Sequence, residues 1–376
     1  MVVLDTSQFT SLCHDRSSNQ STRVANAIAF LDWISDCGCV LCLTIHHIEE
    51  LLAHENDEIV LKRLNILRSL PIVAWLTTKN KNGIGSIVDL HAMELMAAVQ
   101  SPNIKPEDVQ EIVRKSAFQY GTGWESIEPY SPHIRELREH ALKASRRHRE
   151  LVAISESEIS DISRDRLVNW LGGKFNEPSE ISNSLQEMKV RLTENIGTKG
   201  DERIPDAEDV ATTFIDSVAS DGNDLLNRQL TPIEILRSRG IVNEDITSDT
   251  TVGDITALAE FRERSRIACE SWNLSYDTHK RINPRQLPSW IIRDSLKKSR
   301  KSRIRNRGSD LNDAYFAALI PYVDLVYFDK RTFDDLVRAG KNNSFINFII
   351  NRAFRAVPYS MINKHVNNQS YQELQA

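Results

Sequence analysis

Val323-Asp324-Leu325-Val326-Tyr327-Phe328-Asp329 reads as a short buried β-strand that ends on a carboxylate, and Met1-Val2-Val3-Leu4-Asp5 repeats that arrangement at the other end of the sequence. In a parallel sheet, ligands gather outside the carboxyl ends of the strands. Two such aspartates from opposite ends of the sequence predict a split α/β domain with an acidic rim.

Two more acids fall in suitable places. Glu50 lies in Thr44-Ile45-His46-His47-Ile48-Glu49-Glu50-Leu51-Leu52, an amphipathic helix that follows the apolar run Cys39-Val40-Leu41-Cys42-Leu43. Asp313 lies in Ser309-Asp310-Leu311-Asn312-Asp313-Ala314-Tyr315-Phe316-Ala317-Ala318-Leu319, another helix start. Asp310 and Asp313 are three apart and point the same way on a helix. Carboxylates crowded at one site raise each other's pKa unless a cation is present. Hard divalent ions such as Mg²⁺ and Mn²⁺ prefer oxygen ligands of this kind.

These residues resemble the PIN-domain nucleases. Val2-Val3-Leu4-Asp5-Thr6-Ser7 is similar to the opening strand and Asp-Thr-Asn/Ser of that family. Thr44 followed by Glu50-Leu51-Leu52 resembles its second element, a Ser or Thr leading into a Glu-Leu helix. Asp313-Ala314, Ala317-Ala318, Asp329-Lys330 and Phe333 resemble the third and fourth acidic elements in order and spacing. Pro321-Tyr322-Val323-Asp324 is similar to a turn found before the last strand in a PIN-like subgroup. The likeness covers roughly the first 75 and last 90 residues, a domain's worth of chain. It implies a PIN-like short parallel sheet flanked by helices, with Asp5, Glu50, Asp313 and Asp329 as catalytic and metal-binding acids and Asp310 as either an additional ligand or a group that supports the ligands from behind. It also implies bound Mg²⁺ or Mn²⁺ and cleavage of a phosphodiester in single-stranded RNA. The chain departs from the family pattern at Tyr327, where a Thr is frequent, and in the long insertion between the second and third acids. Many small PIN proteins are toxins held by antitoxins. An antitoxin or regulatory protein partner, a homodimer, and a defence or RNA-processing role are the expectations that follow. Two competing readings are a non-catalytic scaffold that binds a partner through its insertion, and a structure-specific DNA nuclease.

With 376 residues the chain holds two domains, or one domain with a large insertion. Its 40% hydrophobic and 26% charged residues are those of an ordinary globular protein. The net charge of −5 provides no global field for nucleic acid, so such binding needs a local patch. No apolar stretch reaches bilayer length, and no signal-peptide pattern is seen, so the expectation is a cytoplasmic protein without a membrane partner. Five cysteines, an odd number, argue against a disulfide framework. Cys37, Cys39 and Cys42 have zinc-like spacing but lack a second pair nearby, and the apolar pattern around Cys39 and Cys42 favours core positions.

The alternation of apolar runs and helices predicts a first part of the PIN-like core over residues 1–76, and a mostly α-helical insertion over 77–285. The second part of the core follows over 286–360, then a polar tail over 361–376. Within the first part the expected helices are Arg23 to Ser35, Thr44 to Ala53 and Glu58 to Ser69. No fixed repeat period is present, which argues against a solenoid.

A basic run, Arg293, Lys297, Lys298, Arg300, Lys301, Arg303, Arg305 and Arg307, leads directly towards Asp310. Charge runs are usually solvated faces. This one is placed to hold the flanking phosphates of RNA or DNA while the metal acts on one phosphodiester. Glu49 is the rival of Glu50, and His46 and His54 lie four residues to either side of Glu50 on its helical face. Tyr120, Trp124, Trp170, Trp272 and Trp290 read as core aromatics that would otherwise stack on bases. Asp89, His91 and Glu94 read as polar helix surface. No Walker loop, dinucleotide fingerprint, zincin motif or nucleophile elbow is present, which disfavours those nucleotide-dependent and hydrolase classes.

Overall fold

Strand β1 (Val2–Val3) is only two residues long, yet it lies between two other strands in a six-stranded sheet. The computed structural model describes residues 1–155, 165–171, 178–227, 231–299 and 309–364. From β1 the chain runs through α1 (Thr6–Arg16) and α2 (Ser21–Asp36) to β2 (Leu41–Leu43). Helices α3 (Ile45–Leu52) and α4 (Asp57–Arg68) lead to β3 (Val73–Leu76). Next come α5 (Ile87–Ala98), α6 (Pro106–Arg114), β4 (Phe118–Gly121), α7 (Gly123–Ile127) and α8 (Ile134–Ser155). The middle of the chain forms α9 (Leu167–Leu171), α10 (Pro178–Lys199), α11 (Ala207–Asn227), α12 (Pro232–Ser238), α13 (Val252–Trp272) and α14 (Tyr276–His279). It returns through α15 (Pro288–Ser299) and α16 (Ser309–Ala317) to β5 (Leu325–Phe328). Helices α17 (Lys330–Asn342) and α18 (Ser344–Ile349) precede the last strand, β6 (Ala353–Arg355).

The strand order is β4-β3-β2-β1-β5-β6, with every neighbouring pair parallel except β3 and β4. This is the α/β fold read from the sequence. Val2 pairs with Leu41 on one side and Leu325 on the other. The first strands build outward from β1 in one direction, and β5 and β6 are laid on its opposite side. The order therefore reverses between β1 and β5, which makes their carboxyl ends the place where a doubly wound sheet binds ligands.

Both faces of the sheet are covered, as parallel strands require. Val2, Leu4, Leu41, Leu43, Val73, Trp75 and Tyr327 join Phe9, Leu12, Phe30, Leu64 and Leu67 from α1, α2 and α4 in one apolar cluster. The alternate residues Val3, Cys42, Ala74, Val326 and Phe328 are buried as well. Helix α15 packs against α5, α6 and α17, α5 packs against α6, and α17 packs on β5 and β6.

The chain divides into two compact units, one of Met1–Ser145, Arg285–Arg300 and Asn312–Ala376, the other of Arg146–Pro284 and Lys301–Leu311. Residues 77–145, which the sequence places in the insertion, belong to the sheet-bearing unit, and β4 within them is a strand rather than a helix. The second unit is helical among its described residues. Its α10 and α11 pack together around Leu192, Ile196 and Ala211, and a second small core gathers Leu167, Ile241 and Ile255. Arg262 ties α13 to Asp245 through bonds of 2.5 and 3.0 Å.

Candidate active site at the carboxyl rim of the sheet

Asp5 leaves β1 and caps α1. Its carboxylate accepts the Ser7 N–H at 2.8 Å and the Ser7 hydroxyl, while its own N–H donates to Gln8 Oε1 at 3.0 Å. This capping box fixes the carboxylate at the strand's end. Asp5 is 9% exposed, and burial raises its pKa, with the nearby charge of Asp329 adding to the rise. Asp329 performs the same task at the end of β5, capping α17 through the Thr332 N–H at 2.7 Å. Burial works against its charge, but the Thr332 bonds and Arg331, at 3.3 Å, outweigh it and hold the carboxyl below its ordinary value.

Thr332 serves two acids, because its hydroxyl donates to Asp313 Oδ2 at 3.1 Å. Asp313 is 8% exposed on α16. One position earlier, Asn312 donates its amide to Glu50 Oε1. Burial raises the pKa of Glu50, the Asn312 and Thr6 side chains oppose that, and the Asp5 charge adds to it.

Two histidines set the placement of Glu50. His47 is 1% exposed and its Nε2–H donates to the Leu4 carbonyl at 2.9 Å, directly before Asp5. Its Nδ1 accepts the Thr44 N–H at 3.1 Å, so the ring is neutral with a fixed tautomer, and burial pushes its pKa down to about 4. His47 stacks on Phe316 at 4.6 Å and His46 on Tyr315 at 4.3 Å. These paired rings hold α3 against α16 and so bring Glu50 to Asn312. His46 Nδ1 meets Glu49 Oε2 at 3.0 Å, which turns Glu49 to its neighbour on the helix and leaves Glu50 facing the rim.

Asp5, Glu50, Asp313 and Asp329 thus form one connected patch, drawn from both ends of the sequence. The side chain of Asp310 lies outside the described residues, as do Arg300, Lys301, Arg303, Arg305 and Arg307. Arg293, Lys297 and Lys298 lie on α15, where Arg293 covers the Trp290 ring at 5.1 Å and Lys298 pairs with Asp294 at 2.6 Å. Compared with family models, curated proteins and solved structures, the chain matches none of them.

The donor set suits a hard divalent ion. Asp5 is a buried and Glu50 a half-buried carboxylate, the two repel each other, and Asn312 Oδ1 is buried without a hydrogen-bond partner among the described residues. A cation would satisfy all of these at once. The acids are not spaced as a closed cage, since no group of three or more His, Cys, Asp or Glu side chains among the described residues is arranged to hold a metal. Mg²⁺ in particular is held by one or two carboxylates and completes its shell with water and substrate phosphate.

Other expectations fare unevenly. Of the two cysteines expected in the core, Cys42 is buried and Cys39 only partly so, while Cys37 is exposed. Trp290 is buried, but Trp124 and Tyr120 are 52% and 58% exposed, contrary to a core position, and Arg68 lies over the Trp124 ring at 5.2 Å. Tyr327 is fully buried in the core cluster beside Phe354. His91 and Glu94 are buried rather than on a helix surface. No helix among the described residues is long and apolar enough to cross a membrane.

Proposed function

We propose that the protein is a PIN-like nuclease whose rim of Asp5, Glu50, Asp313 and Asp329 hydrolyses phosphodiester bonds with Mg²⁺ or Mn²⁺. The observation that carries this reading is the convergence of these acids where the strand order reverses, although they come from opposite ends of the sequence. A divalent ion there would acidify the attacking water and offset charge on the scissile phosphate.

The chain's own residues prepare for that chemistry. Thr332 fixes Asp313 and Asp329 relative to each other, and Asn312 fixes Glu50. Such locked first contacts keep ligands within the narrow geometry that catalysis needs. Burial leaves Asp5 and Glu50 short of positive charge, so a cation is favoured over water at their carboxylates. Arg293, Lys297 and Lys298 would hold flanking phosphates. Single-stranded RNA as substrate, and an antitoxin, regulator or second copy as partner, follow from the family likeness.

Cleavage of labelled single-stranded RNA, single-stranded DNA and duplex DNA, with Mn²⁺ or EDTA, tests the reading. Metal-dependent cutting that is lost in Asp313→Asn is expected. Cutting that persists in the folded variant would overturn the site, and failure to cut any substrate would favour a binding scaffold.

A further inference from the structure

Glu94, in the middle of α5, has no exposed surface. Its Oε1 accepts the Ser289 N–H at 2.9 Å and the Tyr322 hydroxyl at 2.5 Å, and its Oε2 accepts the Ser289 hydroxyl at 2.5 Å. Ser289 and Tyr322 are themselves buried. Among the described residues no Lys or Arg pairs with this carboxylate, and the one basic group in range is His91 Nδ1 on the same helix, at 4.0 Å. Burying an ionised carboxylate without a cation is costly unless hydrogen bonds compensate. Here burial raises the pKa to about 7 against the pull of the Ser289 and Tyr322 donors. Both hydroxyls can reverse and accept, so the protonated form is satisfied as well.

The partners are placed at informative points. Ser289 lies in the first turn of α15, and Tyr322 lies between α16 and β5. One side chain therefore grips both ends of the segment that carries Lys297, Lys298, Asn312 and Asp313. Beyond Glu94, α15 is tied to α17: Arg338 Nε donates to the Ser299 carbonyl and Asn343 Nδ2 to Ser295 Oγ, each at 3.3 Å. Next to Tyr322, the Pro321 carbonyl accepts from Gln110 at 2.7 Å and Arg352 at 2.6 Å.

We propose that Glu94 is a positioning residue, a proton-controlled clasp on the ends of the segment from α15 to Tyr322, closed when protonated and loosened by ionisation. The bearing on catalysis rests on the proposed nuclease reading; the clasp itself does not. An opening that hydrates Glu94 lets it ionise at its ordinary value, so rising pH pulls the equilibrium towards the open form until the closed form ionises too.

Amide hydrogen exchange of the full chain tests this at pH 5 and 7.5, corrected for the intrinsic rate. Peptides covering residues 288–299 and 312–322 should lose protection about ten-fold or more between those values. Glu94→Gln should remove most of that pH dependence, leaving the smaller share that Asp5 and Glu50 contribute. Tyr322→Phe deletes a donor to the charged form, so its transition should move to higher pH, and it decides the matter if Glu94→Gln does not fold. An unchanged pH response in Glu94→Gln, or an unmoved transition in Tyr322→Phe, would overturn the clasp. Wild-type protein that cuts no substrate but shows the exchange transition would sink the nuclease reading alone.

Discussion

Asp5 combines two roles that pull in opposite directions. Its oxygens cap α1, and its buried charge faces both Glu50 and Asp329. Asn caps a helix as well as Asp does, so Asp5→Asn keeps the cap and removes the repulsion. Its thermal midpoint is expected to rise, by roughly 1 kcal/mol of stability, as happens when a functional site gives up its strain. Added Mn²⁺ should raise the wild-type midpoint and leave this variant unmoved. A variant of unchanged stability that still responds to Mn²⁺ would contradict the role given to Asp5. The four acids were readable as a candidate set because Asp5 and Asp329 end strands, Glu50 lies within a helix and Asp313 near the start of another, in an order that resembles the family's. Asn312 and Thr332 were not, since an amide beside an aspartate and a threonine in a first helical turn are common everywhere. Glu94 was legible in principle: Leu90, Ala97 and Ala98 share its side of α5, and a helix apolar nearly all round is a buried one.

Among the elements, β1, β2, β5 and most helices could be read from the sequence, with α2, α3 and α4 within one or two residues of expectation, whereas the three-residue β6 was not. Helix α1 was not, because its polar run Thr6 to Ser11 lacks a continuous apolar stripe and depends on the Asp5 cap. Strand β4 was missed for another reason. It is the antiparallel edge strand, only partly buried, and Phe118-Gln119-Tyr120-Gly121 is too short to establish a period. Its neighbour Gly123 marks a close approach: a Cβ there would stand 1.8 Å from the Leu67 carbonyl oxygen, where α7 meets α4. Gly123→Ala must push these helices apart, and overpacking of this kind costs roughly 1–3 kcal/mol or more. Chemical denaturation should show that loss, whereas a neutral result would mean that α4 and α7 yield easily.

At the scale of the molecule, buried titrating groups oppose one another across mildly acidic pH. His47 is held neutral, with its pKa near 4, so its contribution is complete above its unfolded value and is lost as pH falls through that range. Glu94 is held protonated, with its pKa near 7, so its contribution is complete below the ordinary carboxylate range and is lost as pH rises to 7. Asp5 and Glu50, also raised, add to the second limb. Glu94→Gln should therefore gain stability relative to wild type between about pH 4.5 and 7, by on the order of 3 kcal/mol at most. Denaturation midpoints measured across that range check it, and parallel profiles would refute it. The boundary between the units was less legible than the fold. Residues 77–145 are rich in helices like the residues after them, and what assigns them to the sheet is long-range: β4 pairs with β3, and Ile84, Ile127 and Ala141 enter the core cluster.

The central place of β1 has a consequence for biosynthesis. Its partner β5 lies near the other end of the sequence, so a chain emerging from the ribosome holds β1 against β2 while its other edge stays bare. Unpaired edges recruit other strands, so the edge of β1 is a site open to wrong pairing until β5 has been made. For the same reason, a translation product that stops before Asp329 contains Asp5 and Glu50 but can never assemble the rim.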